Sequence, residues 1–124
     1  MTKISIERVY ADPSGTEGFR VFVDRLWPRG ESKEKFHYDL WAKEVAPSTE
    51  LREWLHADPD SRWEEFERRY TAELDGNATA KALADEVARH AAVTLLYSSR
   101  DTVHNNAEVL AEWLRRQLDK QPGA

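Results

Sequence analysis

Apolar residues recur along the chain in four short runs that predict β-strands. In Ile4–Tyr10 apolar and polar side chains alternate, as they do on a strand with one covered face. Arg20–Val23 is β-branched and aromatic, and Val93–Tyr97 is a compact apolar run typical of a central, buried strand. The remaining run, Tyr38–Ala46, fits either a strand or a short helix, and we favour the strand. Pro47 ends it in either case, because a residue before proline avoids the helical region.

Apolar residues also recur at three- and four-residue steps, the spacing that places them on one face of a helix. Ser48 or Thr49 is placed to cap a first helix, and Asp58 with Pro59 to start a second. Asn105 or Asn106 is placed to cap the last. The four predicted apolar faces consist of Leu51, Trp54 and Leu55; of Trp63, Phe66, Tyr70 and Leu74; of Ala80, Leu83, Ala84, Val87, Ala88 and Ala91; and of Val109, Leu110, Trp113, Leu114 and Leu118.

The order of these elements predicts the fold class. Helices that separate the later strands favour βαβ connections, in which neighbouring strands are parallel. The link from Tyr10 to Phe19 is too short for a helical crossover and contains a turn-like segment, Asp12–Gly15, so the first two strands would be antiparallel if they were neighbours. We therefore expect a single α/β domain over residues 1–124, with a small mixed, mostly parallel sheet of three to four strands covered by helices.

Composition and charge narrow the chemistry. The chain has no cysteine, which excludes disulfides, thiolate metal sites and cysteine nucleophiles. No apolar stretch is long enough to span a bilayer and the N-terminus lacks a signal-peptide pattern, so we expect a cytoplasmic protein without membrane contact. The net charge of −5 disfavours nucleic acid as a partner without excluding it. Residues 20–35 nevertheless carry five positive and three negative side chains, a local basic patch.

Polar side chains follow three of the predicted strands. Ligands in open α/β sheets bind beyond the carboxyl ends of the strands, so we expect these segments to line one pocket. Arginine binds phosphate or carboxylate through two parallel hydrogen bonds, and tryptophan stacks on flat ligands. The candidate ligand-binding residues are Arg25, Trp27, Arg29, Lys43, Ser48, Ser98, Arg100 and Asn105.

Three of these residues also have a structural alternative. Arg25 would pair with Asp24 or Asp39 as part of the scaffold, Arg29 would be solvated, and Trp27 would cover the core beside its proline turn.

Proton transfer at the same place would fall to His104 and Asp101, since an imidazole beside a carboxylate in a polar loop is a candidate general base. Ser98 as a nucleophile with His104 as its base is a weaker alternative, because the chain has no G-x-S-x-G elbow. In the structural alternative His104 caps or packs against the turn. The other histidines have no metal-ligand spacing, so no metal site is expected, and the cofactor is unknown.

Several of these segments together resemble the YeaO-like family of bacterial proteins, a domain of unknown function. The resemblance extends from about Arg8 to Leu114 and implies a small cytoplasmic α/β protein, without supplying a reaction or catalytic residues. Some relatives carry a transcriptional-regulator label, but the helices here are acidic or alanine-rich, unlike a basic recognition helix. The segments that carry the resemblance are Val23-Asp24-Arg25-Leu26-Trp27-Pro28-Arg29-Gly30, Leu40-Trp41, Lys43, Ala46-Pro47-Ser48, and Leu95-Leu96-Tyr97 with Arg100, His104 and Asn105.

Three functions remain open at this point. The leading hypothesis is a basic pocket that binds a small anionic ligand, phosphate- or nucleotide-bearing, with acid/base catalysis by His104 or Asp101 as a further step. The second is a nucleic-acid-associated or regulatory protein that uses the patch from Arg20 to Lys35. The third is an interaction module, such as a homodimer, with an exposed apolar patch around Trp27, Trp41 or Trp54.

Overall fold

The computed structural model describes residues 2–10, 18–32 and 36–120. The predicted turn at Asp12–Gly15, and Lys33 and Lys35 of the basic patch, lie outside these ranges. The described strands are β1 (Lys3–Arg8), β2 (Phe19–Phe22), β3 (Leu40–Trp41) and β4 (Ala92–Tyr97). The described α-helices are α1 (Thr49–Ala57), α2 (Pro59–Asp75), α3 (Ala78–Val87) and α4 (Asn106–Asp119).

The strands form one parallel sheet in the order β1-β4-β2-β3. The α/β class and the parallel sheet are therefore confirmed, but no antiparallel pair occurs among the described strands. The reason is that β1 and β2 are not neighbours. The apolar strand β4, whose residues from Val93 to Tyr97 are all buried, takes the position between them and pairs with both.

The segment Tyr38–Ala46 contains both of the elements that were left open for it, and the favoured strand covers only two of its residues. After Leu40–Trp41 the chain passes into a 3-10 helix at Lys43–Val45. The edge of the sheet continues through the backbone N–H of Ala42, which donates to the Phe22 carbonyl at 2.8 Å. The buried Tyr70 hydroxyl of α2 then donates to the Val45 carbonyl, which fixes the chain in the tighter turn.

The two faces of the sheet are covered differently. Ile4, Val21, Val93 and Leu95 belong to the main core, which the helices complete from one side. Phe22 and Leu96 point to the other side and form a second core with Val9 and Phe36, against which Trp27, Tyr38 and Trp41 pack. Helices therefore cover one face, whereas aromatic side chains from the segments after β2 cover the other.

The helix boundaries follow from their caps. The Ser48 hydroxyl accepts from the Leu51 N–H at 3.2 Å, and the side-chain Oδ1 of Asn105 accepts from the Glu108 N–H at 2.9 Å, so the predicted caps of α1 and α4 are confirmed. α3 ends at Val87, before the predicted Ala88 and Ala91. The Thr2 hydroxyl donates to the His90 carbonyl at 2.8 Å just beyond that end.

No helix in the described ranges is long and apolar enough to cross a membrane.

Candidate functional site

The carboxyl ends of the parallel strands meet around the Asp24 side chain. One carboxylate oxygen of Asp24 accepts from the Ser98 N–H at 2.8 Å and also from the Ser98 hydroxyl. The other oxygen accepts from the Asn106 side-chain amide at 3.1 Å, and the same amide donates to the Val23 carbonyl at 3.2 Å. Asp24 thus joins the end of β2, the end of β4 and the first residue of α4.

We call this group of Asp24, Ser98 and Asn106 the carboxylate lock. Backbone N–H groups and the first turn of a helix are favourable surroundings for a negative charge. The lock places a carboxylate of the protein itself against Ser98, which was predicted to bind the ligand. The Ser98 hydroxyl donates inward to Asp24, so Ser98 is part of the scaffold of the site.

Four predicted cations in the segments that follow the strands have exposed side chains, namely Arg25, Arg29, Lys43 and Arg100. Arg25 follows Asp24 and donates weakly to the Ala46 and Pro47 carbonyls, each at 3.4 Å. Lys43 lies over the Trp41 ring at 5.2 Å, and the Trp41 indole donates to the Asp24 carbonyl at 2.8 Å. Within the described residues none of the four forms an ion pair with a carboxylate.

The remaining predicted ligand-binding residues have structural partners. The Trp27 indole donates to the Glu31 carbonyl at 2.7 Å, and its ring packs edge-on against Phe22, Phe36, Tyr38 and Trp41. Ser48 caps α1 and donates from its hydroxyl to Glu73 of α2 at 2.7 Å. Asn105 caps α4 and is 3% exposed. These contacts match the structural alternatives weighed for such residues.

His104 and Asp101 lie in the loop before α4 but do not form a close pair. The His104 ring stacks on the Trp63 ring of α2 with centroids 4.7 Å apart, and its Nδ1 is 3.9 Å from the Asp101 carboxylate. Asp101 accepts from the backbone N–H groups of His104 and Val103 at 2.8 and 2.9 Å. These two hydrogen bonds hold the pKa of Asp101 below its ordinary value.

The Asp101 turn gives a prediction for pH. Because the folded-state pKa is lowered, the turn is stabilised above the unfolded pKa, about 3.9 for aspartate, and that stabilisation is lost as pH falls through the folded pKa. We expect the Asp101 carboxyl carbon to titrate below that value in an NMR pH series. The amide protons of Val103 and His104 should shift with the same midpoint. A midpoint in the range of pH 5 to 8 would contradict this and would favour a proton-transfer role.

The basic patch is smaller than the sequence indicates, because Arg20 is a core residue. Its side chain is 7% exposed and pairs with Glu7 at 3.2 Å, and its Nε donates to the His37 carbonyl at 3.0 Å. It therefore presents no charge for a nucleic acid to contact.

The tryptophans of the interaction hypothesis are each half-buried. Trp27 and Trp41 pack on the second core, and Trp54 lies between the guanidinium groups of Arg62 and Arg69, at 4.9 and 4.3 Å. The large apolar side chains that are exposed in the described ranges are Tyr10, Leu26 and Val103.

The sequence prediction missed Asp24, Asn106 and Arg8 as organisers of the site. The Arg8 guanidinium donates from Nε to the Ser99 carbonyl at 2.8 Å and lies over the Tyr10 ring at 4.8 Å, so it fixes the loop after β4. Asp24 had one available signal. It is the first acidic side chain after a buried strand, where a carboxylate needs hydrogen-bond donors.

Fold and site together define the class of this protein. It is a small parallel α/β domain in which an aspartate joins two strand ends to the last helix, and exposed cations follow the strands. The family model described as the inactive DUF488-N3 subclade matches residues 3–124. The chain belongs to this family.

Similar proteins carry no assigned activity in their names. The chain is 44% identical over 113 residues to the uncharacterized protein YeaO of Escherichia coli K12, covering 90% of this chain and 96% of that protein. It is 41% identical over 113 residues to the uncharacterized proteins Mb3100c of Mycobacterium bovis and Rv3073c of Mycobacterium tuberculosis, covering 91% of this chain and 94% of each. The YeaO-like resemblance is therefore confirmed. No solved structure matches the chain.

Proposed function

We propose that the protein binds a small anionic ligand, phosphate- or nucleotide-bearing, on the rim formed by Arg25, Lys43 and Arg100. The observation that carries the proposal is the position of these exposed cations after three adjacent strands, β2, β3 and β4. The carboxylate lock joins the two segments that carry Arg25 and Arg100, since Arg25 is one residue from Asp24 and Arg100 is two residues from its partner Ser98.

The local electrostatics favour an anion even though the protein is acidic overall. The Asp24 carboxylate is directed inward at Ser98 and Asn106, and the Asp101 carboxylate is directed at two backbone N–H groups. The cations of the rim have no carboxylate partner among the described residues. Exposed guanidinium groups with free N–H donors are suited to phosphate, which they bind through two parallel hydrogen bonds.

Binding without catalysis fits this geometry better than acid/base chemistry. The His104 ring is stacked on Trp63, and the Asp101 carboxylate accepts from two N–H groups of its own loop. Both candidate proton-transfer groups therefore already have partners within the protein. The Ser98 hydroxyl is committed to Asp24. The family description also names an inactive subclade, which supports a protein that binds rather than reacts.

The test is a titration of the full chain with pyrophosphate and with ADP, followed by amide NMR shifts at low salt. We expect saturable shifts in Asp24–Leu26 and Ser98–Asp101. Arg25→Gln and Arg100→Gln should each weaken binding about tenfold, the effect of one charge-assisted hydrogen bond. Affinity should fall as salt rises, since these charges are solvent-exposed.

Arg116→Gln is the matched control, because Arg116 is an exposed arginine near the other end of α4. It should leave binding unchanged. Equal weakening by all three substitutions would point to general charge attraction, and the rim would then not be a site. Absence of saturable shifts with both probes would also reject the proposal.

A further inference from the structure

A groove of the described structure lies at the opposite, amino-terminal edge of the sheet, away from the cationic rim. It is a groove of about 790 Å³ between the start of β1, the end of α3 and the last turns of α4. A second hollow of about 550 Å³, beside Phe19, shares His90 and Ala91 with it. The groove is within the size range of small-molecule sites.

The floor of the groove is apolar and well ordered by its own contacts. Ile4 is buried and Leu118 is half-buried, and Ala88 and Ala91 complete the lining. The backbone below is already satisfied at its polar groups, since the Thr2 hydroxyl donates to the His90 carbonyl. The floor therefore offers contact to apolar groups and leaves recognition of charge to the walls.

The walls present one cation and one anion that lack an ionic partner. Arg89 pairs with Glu86 at 3.5 Å and Arg115 pairs with Glu112 at 2.7 Å, so these two arginines are compensated. Lys3 and Asp119 line the same groove, are exposed, and form no ion pair with each other or with another described residue. A ligand complementary to this groove carries both charges, separated by more than an ion-pair distance, on an apolar body.

We propose that the groove binds a small apolar zwitterion of dipeptide size, with the ligand carboxylate at Lys3 and the ligand ammonium at Asp119. The termini of an extended dipeptide are separated by about two residue lengths, roughly 6 Å, which suits two charges that do not touch each other. Its apolar side chains would lie on Ile4 and Leu118. This site is independent of the rim of Arg25, Lys43 and Arg100.

The test is an amide NMR titration of the full chain with the dipeptide Leu-Phe, its N-acetyl form and its C-terminal amide. Leu-Phe should give saturable shifts in residues 2–4, 88–91 and 115–119. Each blocked form should bind about fivefold more weakly, since it loses one exposed ion pair. Lys3→Gln should remove the preference over the amide, and Asp119→Asn the preference over the N-acetyl form. Lys81→Gln, an exposed lysine of α3 outside the groove, is the control.

Ala88→Leu tests the groove itself, because a larger side chain at this exposed position fills the lining without disturbing the core. We expect it to weaken all three peptides equally. The proposal is wrong if the three peptides bind alike, if Leu-Phe gives no saturable shift, or if its shifts fall at Asp24–Leu26 and Ser98–Asp101. Failure of this experiment leaves the anion titration of the rim unaffected.

Discussion

Replacing Asp24 with alanine is expected to lower the free energy of unfolding by about 3 kcal/mol, which corresponds to a fall in melting temperature of roughly 10 °C. The substitution removes the acceptor for the Ser98 N–H, the Ser98 hydroxyl and the Asn106 amide at once. Hydrogen bonds to a charged group are among the stronger ones, and donors left without a partner add a desolvation cost.

Urea unfolding followed by tryptophan fluorescence measures this change. Asp24→Asn is the informative companion variant, because it keeps one acceptor oxygen but directs an amide N–H₂ at groups that are themselves donors. We expect it to be destabilised as well, by about 2 kcal/mol. Asp60→Asn is the control, since Asp60 is exposed in the first turn of α2 and bonds to no other element. If Asp24→Ala were as stable as the control, the carboxylate lock would not hold the site together.

The sequence predicted helices and strands well where the buried residues of the element repeat with its own period. α2 and α4 have strong apolar stripes and recognisable starts, and both were found at the predicted places. β4 has a run of buried residues that fits only a central strand. Strand order was harder, because it depends on which pairs of strands bury the most surface, a property of the whole sheet. The first two strands were expected to be antiparallel only if they were neighbours, and β4 lies between them.

The site shows the same contrast: residues that depend on their own strand could be predicted, whereas contacts between distant parts of the sequence could not. The positions of Arg25 and Arg100 after strand ends followed from the predicted strands alone. Their counterpart Asp24 did not, since its partners Ser98 and Asn106 are 74 and 82 residues away in sequence. Trp27 could be placed beside the core or beside a ligand, and its aromatic neighbours decide for the core.

The lock also explains why the cations are exposed. A carboxylate at the strand ends would ordinarily pair with the nearest guanidinium group, here that of Arg25. The Asp24 oxygens are instead committed to uncharged donors from β4 and α4. The positive charges around it are therefore left for groups outside the chain, which links the fold of the strand ends directly to the proposed anion binding.

Arg20 yields the second large effect, since removal of one member of its ion pair with Glu7 leaves a charge that is poorly solvated. The Arg20 and Glu7 side chains are 7% and 11% exposed. Arg20→Ala should destabilise the protein by about 3–5 kcal/mol, the usual result of breaking a buried pair at one side. Replacing both residues, Glu7→Leu with Arg20→Met, should recover most of that loss because neither charge is then buried.

Thermal and urea unfolding of Arg20→Ala and of the double variant form the experiment. Arg89→Ala is the matched control, since its ion pair with Glu86 is largely exposed, and it should change stability by no more than about 0.5 kcal/mol. A double variant as unstable as Arg20→Ala would show that the hydrogen bond to the His37 carbonyl, rather than the ion pair, carries the effect. If Arg20→Ala were as stable as the control, Arg20 would not act as a buried ion-pair residue. It would then count as a surface cation and again be a candidate for nucleic-acid contact.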